Sequence, residues 1–153
     1  NIEFYKLSAP QDVDTLVKQI RLYEEVFEMA DFEMPPVAYL QTLLEREHII
    51  FYVAVGAGKE VIGGLTAYVL DSVYFAAAEI YIYDLAVRAD YQRQGIGTRL
   101  IAELKKHCAR LGHKEIYVQA DLEDQHAVDF YRKTGGLPES VIHFSYSLIN
   151  EDS

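Results

Sequence analysis

The chain has 153 residues, half of them hydrophobic and a quarter charged, with a formal net charge of −10. That length suits one domain with a real core, residues 1–153 together, and no apolar run approaches the roughly 18 residues that cross a bilayer. The acidic balance excludes nucleic acid, whose phosphates need clustered Lys and Arg, and suits either a cationic ligand or plain solubility.

Asp12 to Phe27 places Val13, Leu16, Val17, Ile20, Tyr23 and Phe27 at helical spacing. Met34-Pro35-Pro36 breaks the chain, and a second helix is expected from Val37 to Glu45. Two β-rich runs follow, Ile49 to Val55 and Val61 to Leu70, joined by the turn Gly56-Ala57-Gly58-Lys59. Asp71 to Ala78 reads as a loop. Glu79 to Val87 is the strongest strand. Thr98 to Leu111 carries Leu100, Ile101, Leu104, Cys108 and Leu111 on one stripe, and Gly112 stops that helix. Glu115 to Ala120 is a strand, Gln125 to Thr134 a helix ended by Gly135-Gly136, and Ser140 to Leu148 a final strand. The strand–helix–strand in the middle is a right-handed crossover unit. The expected fold is therefore α/β: a mixed, mostly antiparallel twisted sheet with helices on both faces.

Cys108 is the only cysteine, which excludes an internal disulfide and fits a reducing compartment. Asn1-Ile2-Glu3 opens with no basic stretch before an apolar one, so no secretory signal is expected and the cytoplasm is the expected location. His48, His107, His113, His126 and His143 lack ligand spacing, so no metal site is expected.

The first chemical motif is the loop Gln92-Arg93-Gln94-Gly95-Ile96-Gly97 between a strand and a helix. Its glycines admit a close ligand. The N–H groups of Gln94, Gly95, Ile96, Gly97 and Thr98 gather at the positive end of a helix dipole. Arg93 and Arg99 add charge. No third glycine with a downstream acid follows, and no Gly-Lys-Ser/Thr, so neither the dinucleotide nor the nucleotide-hydrolase fingerprint fits. On spacing alone, a tight turn and an anion site are both open.

Gln92-x-x-Gly95-x-Gly97 after an apolar strand resembles the coenzyme A loop of the GNAT superfamily of N-acetyltransferases. Ala127-Val128-Asp129-Phe130-Tyr131-Arg132-Lys133-Thr134-Gly135 resembles the later helix of that superfamily, at the right separation. Gly136-Leu137 stand where a Phe is common. Ala67 to Leu70, Glu79 to Val87 and Ile116 to Asp121 further resemble the type I aminoglycoside 3-N-acetyltransferases. The resemblance implies acetyl-CoA as co-substrate and a cationic aminoglycoside as acceptor, acetylated at its 3-amino group. It implies that Leu85, Ala86 and Val87 hold the pantetheine arm like an added strand, that Gln92 to Thr98 hold the pyrophosphate, and that an N–H of Leu85 or Val87 polarises the thioester.

Tyr131 is the candidate general acid for the leaving thiolate, the alternative being a packing tyrosine. Asp84 breaks the pattern of its strand, as functional acids do, and is the candidate base and ammonium partner. The alternative is an Asp at a β-bulge. Asp121, Glu123 and Asp124 follow the next strand and are substrate candidates, with Asp124 equally an N-cap. Glu79 and Glu28 are weaker candidates, and Tyr39 and Phe32 are expected near the acceptor pocket. Cys108 reads as a core residue. The apolar run Val141 to Leu148 allows a homodimer. Two other functions stay open: an acetyltransferase of another polyamine or a peptide, and a non-catalytic module that binds coenzyme A.

Overall fold

The computed structural model describes residues 1–149. The elements are β1 (Glu3–Leu7), α1 (Val13–Val26), α2 (Val37–Glu45), β2 (Ile49–Val55), β3 (Val61–Asp71), β4 (Ala78–Val87), α3 (Ile96–Arg110), β5 (Glu115–Val118) and α4 (Gln125–Lys133). The strands form one sheet in the order β1-β2-β3-β4-β5, antiparallel except for the parallel β4–β5 pair. The mixed sheet and the crossover through α3 agree with the sequence. The chain divides into two compact units, Asn1–Gln119 and Ala120–Ser153.

Adjacent glycines show how α1 and α3 take opposite faces of the sheet in the first unit. A Cβ on Gly63 would meet Ile96 of α3 at 2.9 Å, and one on Gly64 would meet Gln19 of α1 at 2.9 Å. Neighbouring strand residues point to opposite faces, so both helices pack close only because both residues lack a side chain. The α1 face buries Leu7, Leu16, Leu22, Leu40, Leu44, Phe51, Val53 and Ala86 together. The α3 face buries Ile96, Leu100 and Leu104.

Three expectations need correction. Glu3–Leu7, to which the sequence assigns no element, pairs with β2 as an edge strand. Exposure alternates along it, but the adjacent aromatics Phe4-Tyr5 and the polar Lys6 mask the period of two in the sequence. The glycine-loop helix starts at Ile96 rather than Thr98, because Gly95 at φ 81° turns the chain into the first helical residue. Ser140 to Leu148 forms no strand, although Ile142, Phe144, Tyr146 and Leu148 alternate with polar residues. Alternation marks a possible half-buried strand, but a ladder partner makes one. Here those apolar side chains are exposed.

Candidate active site

The site is organised by β4. Its parallel pairing with β5 runs from Glu79↔Glu115 to Ile82↔Val118 and then ends. β4 itself continues to Val87, bonded on its other side to β3 through Leu65↔Leu85, Gly64↔Ala86 and Gly63↔Val87. Beyond Ile82, among the described residues, no strand pairs with the β5 side of β4. That edge offers alternating backbone N–H and C=O groups to any extended chain of amides. Leu85, Ala86 and Val87 lie on this open edge.

The edge leads into the glycine loop. The Gln92 amide donates to the Val87 carbonyl at 3.0 Å and ties the loop to the end of the strand. Arg93 (φ 66°) and Gly95 (φ 81°) both take left-handed backbone. The first hydrogen bond within α3 is Arg99 N–H to the Gly95 carbonyl, 2.9 Å, and no side chain caps the helix. The N–H groups of Ile96, Gly97 and Thr98 therefore face outward at the positive helix end, where an anion is favoured. Gln92, Arg93, Gln94, Gly95 and Thr98 are exposed, while the Ile96 side chain is buried. Arg99, expected to add charge at the loop, is exposed and engaged on its own helix and on β1. Its guanidinium pairs with Glu103 at 2.9 Å and lies 4.6 Å from the Phe4 ring.

Asp84 sits at a bulge. Thr66 pairs with Asp84 and Ala67 with Ile82, so Tyr83 is the extra residue. A bulge reverses the alternation beyond it. Tyr81 and Asp84 are three apart and would lie on opposite faces of a regular strand, but here both take the α1 face, opposite Tyr68 and Thr66. The bulge of the structural alternative is therefore present, and it turns Asp84 to the same face as Thr66, Tyr68 and Tyr81. Burial pushes its carboxyl up to about 6. Among the described residues no hydrogen bond reaches that carboxylate.

Tyrosines surround it. Tyr68 and Tyr83 meet edge to face at 5.5 Å, Tyr83 and Tyr81 at 5.8 Å, and Tyr81 stacks on Tyr117 at 4.8 Å. Tyr81 also donates to the Gln119 side chain at 3.1 Å. The phenols of Tyr68 and Tyr81 feel the Asp84 charge, and Tyr39 of α2 lies beside Tyr68. Tyr83 keeps 61% of its surface exposed. Beneath them, Gln19, Tyr23 and Thr66 form a buried polar chain, with Tyr23 Oη and Thr66 Oγ1 2.8 Å apart. Sequence reasoning missed all of these partners except Tyr39. The available signals were Gln19 as a polar residue on the apolar stripe of α1, and a run of tyrosines at alternate positions.

Glu79 lies at the other end of β4, five residues or roughly 16 Å from Asp84. In the second unit, Asp121, Glu123 and Asp124 are exposed and form a turn, with Asp124 N–H bonded to the Asp121 carbonyl at 2.9 Å. Asp124 Oδ1 accepts from Ala127 N–H at 3.1 Å, so its side chain is an N-cap. Tyr131 is half-buried on α4, and burial together with the charge of Asp124 pushes its phenol up to about 12. Gly136 N–H bonds to the Tyr131 carbonyl at 2.8 Å. A Cβ on Gly136 would stand 3.0 Å from that oxygen, which accounts for glycine at this turn. Cys108 is buried, and its thiol is pushed up to about 11, so it is a core residue. Two shallow clefts of about 560 Å³ run along the outer side of α1, and neither includes Asp84 or the glycine loop.

Residues 16–136 match the model of the acetyltransferase (GNAT) family. The chain belongs to that family. It is similar to an aminoglycoside acetyltransferase from an uncultured soil metagenomic sample, solved in complex with trehalose (41% identity) and with sisomicin (40%). Both matches cover 97% of each chain at a TM-score of 0.92. Another soil-metagenome aminoglycoside acetyltransferase is 36% identical over 97% of this chain and 99% of that one, TM-score 0.91. An aminoglycoside N-acetyltransferase in complex with CoA is 13% identical at a TM-score of 0.78, a likeness of fold alone. Among curated proteins, N-alpha-acetyltransferase 50 of Danio rerio is 35% identical over 57 residues. That alignment spans 37% of this chain and about a third (34%) of the relative's length. Among the described residues no helix is long and apolar enough to cross a membrane.

Proposed function

We propose that this chain, as one N-acetyltransferase domain, moves the acetyl group of acetyl-CoA directly to the 3-amino group of a cationic aminoglycoside. The observation that carries the proposal is the open edge of β4. It runs from the half-buried carboxylate of Asp84 to an uncapped helix N-terminus within a single strand and loop. An extended pantetheine, with two amides and a diphosphate beyond them, has the polarity of that track. Amides suit the edge at Leu85, Ala86 and Val87. The diphosphate suits the N–H groups of Gly95 to Thr98 with Arg93 beside them.

Acetyl-CoA supplies an activated acetyl group as a thioester. The protein's share is fivefold. Backbone N–H groups of the Leu85–Val87 edge stabilise the charge that builds on the thioester oxygen. Asp84, near 6, is ionised at neutral pH yet basic enough to take a proton from the substrate's ammonium, directly or through water, and so free the neutral amine that attacks the thioester. Tyr131, near 12, holds its proton and can give it to the leaving thiolate. The tyrosines around Asp84 give sugar rings a flat wall and give neighbouring ammonium groups π faces, worth about 0.5–2 kcal/mol each. Asp121, Glu123 and Asp124 are proposed to draw further ammonium groups of the substrate, Asp124 alongside its capping role.

The likeness to enzymes solved as aminoglycoside acetyltransferases supports the acceptor class. The choice of the 3-amino group rests on the stretch Glu79 to Val87 with Asp84 inside it. The test is thiol release from acetyl-CoA with sisomicin, with spermidine and with a short peptide bearing a free amine. Turnover with sisomicin alone is the expected result. Turnover only with spermidine or peptide would move the acceptor to another amine, and coenzyme A binding without any turnover would make the chain a binding module.

A further inference from the structure

Gln19 is fully buried, yet its Oε1 has no hydrogen-bond partner among the described residues. A buried acceptor left unpaired costs stability, and a leucine or methionine at this place would avoid the cost. What the amide does instead is donate. Its Nε2 lies 2.8 Å from Tyr23 Oη and 3.2 Å from the carbonyl oxygens of Tyr52 and Leu65. The reverse amide orientation would aim Oε1 at two carbonyls and is repulsive, so the nitrogen faces this way. β3 has a glycine at position 64 opposite it, where a Cβ would meet Gln19 Cγ at 2.9 Å and Nε2 at 3.0 Å.

That orientation fixes the next two hydrogens. Nε2 carries two hydrogens for three acceptors; the shortest contact, 2.8 Å to Tyr23 Oη, takes one and the two carbonyls share the other, so Tyr23 Oη accepts. The Tyr23 hydrogen then goes to Thr66 Oγ1, 2.8 Å away. Thr66 has thereby filled an acceptor site and keeps its own hydrogen to give. Thr66 stands directly opposite Asp84 at the bulge, on the same face. Opposed residues hold their Cβ atoms about 5 Å apart, so with Thr66 kept on Tyr23 the Asp84 carboxylate comes within reach of the Thr66 hydroxyl by its own rotamer change or through one water.

We infer that Gln19 sets the direction of a hydroxyl chain, Gln19 to Tyr23 to Thr66, that holds the Thr66 proton for the Asp84 carboxylate and so tunes the base. Gln19 and Thr66 are positioning residues, since neither touches the reacting atoms. The inference rests on Asp84 being the base of the proposed transfer. The phenols of Tyr23 from α1, Tyr68 from β3 and Tyr81 from β4 face Asp84, with Tyr39 of α2 beside Tyr68. Desolvation is what displaces its carboxyl. A donated hydrogen bond favours the charged form and restrains that rise.

The experiment is a ¹³C NMR titration of the Asp84 carboxyl in the full chain, without substrates, beside the pH profile of kcat/KM. Thr66→Val keeps the shape and removes the hydroxyl, Thr66→Ser restores it, and Gln19→Met frees the chain to reverse. The expected result is a rise of about one pH unit in the Asp84 midpoint in Thr66→Val and Gln19→Met, with Thr66→Ser close to wild type. The acid limb of kcat/KM should move by the same amount. Lower melting temperatures with an unmoved Asp84 midpoint in Thr66→Val would overturn the inference and leave the chain a packing device. Should Gln19→Met not fold, Thr66→Val decides alone. Wild-type turnover in Asp84→Asn would instead sink the base assignment, and the NMR midpoints would still report on the hydroxyl chain.

Discussion

The two ends of the functional stretch of β4 are built from different materials. Toward Val87 and the glycine loop, the groups on offer are backbone: an open strand edge and uncapped N–H groups around a left-handed Gly95. Toward Asp84, the groups on offer are side chains brought to one face by a bulge: a carboxylate, exposed and half-buried phenols, and a hydroxyl chain beneath. The donor end should therefore tolerate most side-chain changes and fail when the backbone is disturbed. The acceptor end should respond to single atoms.

The largest effect is expected at Asp84. Asp84→Asn should lower kcat by about a hundredfold, the scale of general-base help, measured by thiol release at saturating acetyl-CoA. A wild-type rate would remove the acceptor end from the chemistry. The same variant should be more stable. The carboxyl sits near 6 when folded against an ordinary value of 3.8, so the folded state disfavours its charged form. The penalty is absent below about pH 4, grows between 4 and 6 and is complete above. Discounted for partial exposure, it amounts to about 1–2 kcal/mol. Melting curves at pH 8 should favour Asp84→Asn, and the gap should close near pH 4.

About tenfold effects come next. Tyr131→Phe should lower kcat about tenfold with KM for both substrates little changed, as steady-state kinetics would show. Gly95→Val should raise KM for acetyl-CoA about tenfold, because a β-branched residue resists φ near 81° and distorts the helix entry. A small effect would mean that the loop is a turn and not an anion site. At the acceptor end, Tyr83→Ala should raise KM for sisomicin about fivefold and leave KM for acetyl-CoA alone, while Tyr83→Phe stays within about twofold. Equal shifts for both substrates would erase the distinction between the ends. The smallest effect is expected for Thr98→Ala, within about twofold in every parameter, since only its N–H is placed to serve.

The donor end was the more legible of the two in the sequence. Glycines at 95 and 97 between a strand pattern and a helical stripe mark a backbone-built turn at a helix start, the candidate anion site, because glycine is itself the backbone signal. The acceptor end was legible only at Asp84, an acid misplaced in a strand. Its companions were hidden because a bulge inserts one residue and reverses which side chains share a face, and no local pattern marks that reversal. Gln19 was passed over because helical stripes are read for apolar residues and, apart from Tyr23 one turn on, its partners are 33 and 46 positions away. Of the elements, β1 was hidden by the adjacent aromatics Phe4-Tyr5 and the polar Lys6, and Ser140 to Leu148 misled by an alternation that no partner strand completes.

The reaction proposed for this chain is a direct transfer to one amine of a cationic sugar. The most direct measurement is NMR of the product formed from sisomicin and acetyl-CoA by the wild-type chain. A single acetyl group on the 3-amino nitrogen is the predicted result, and an acetyl group on any other nitrogen, or unmodified sisomicin after long incubation, would contradict it.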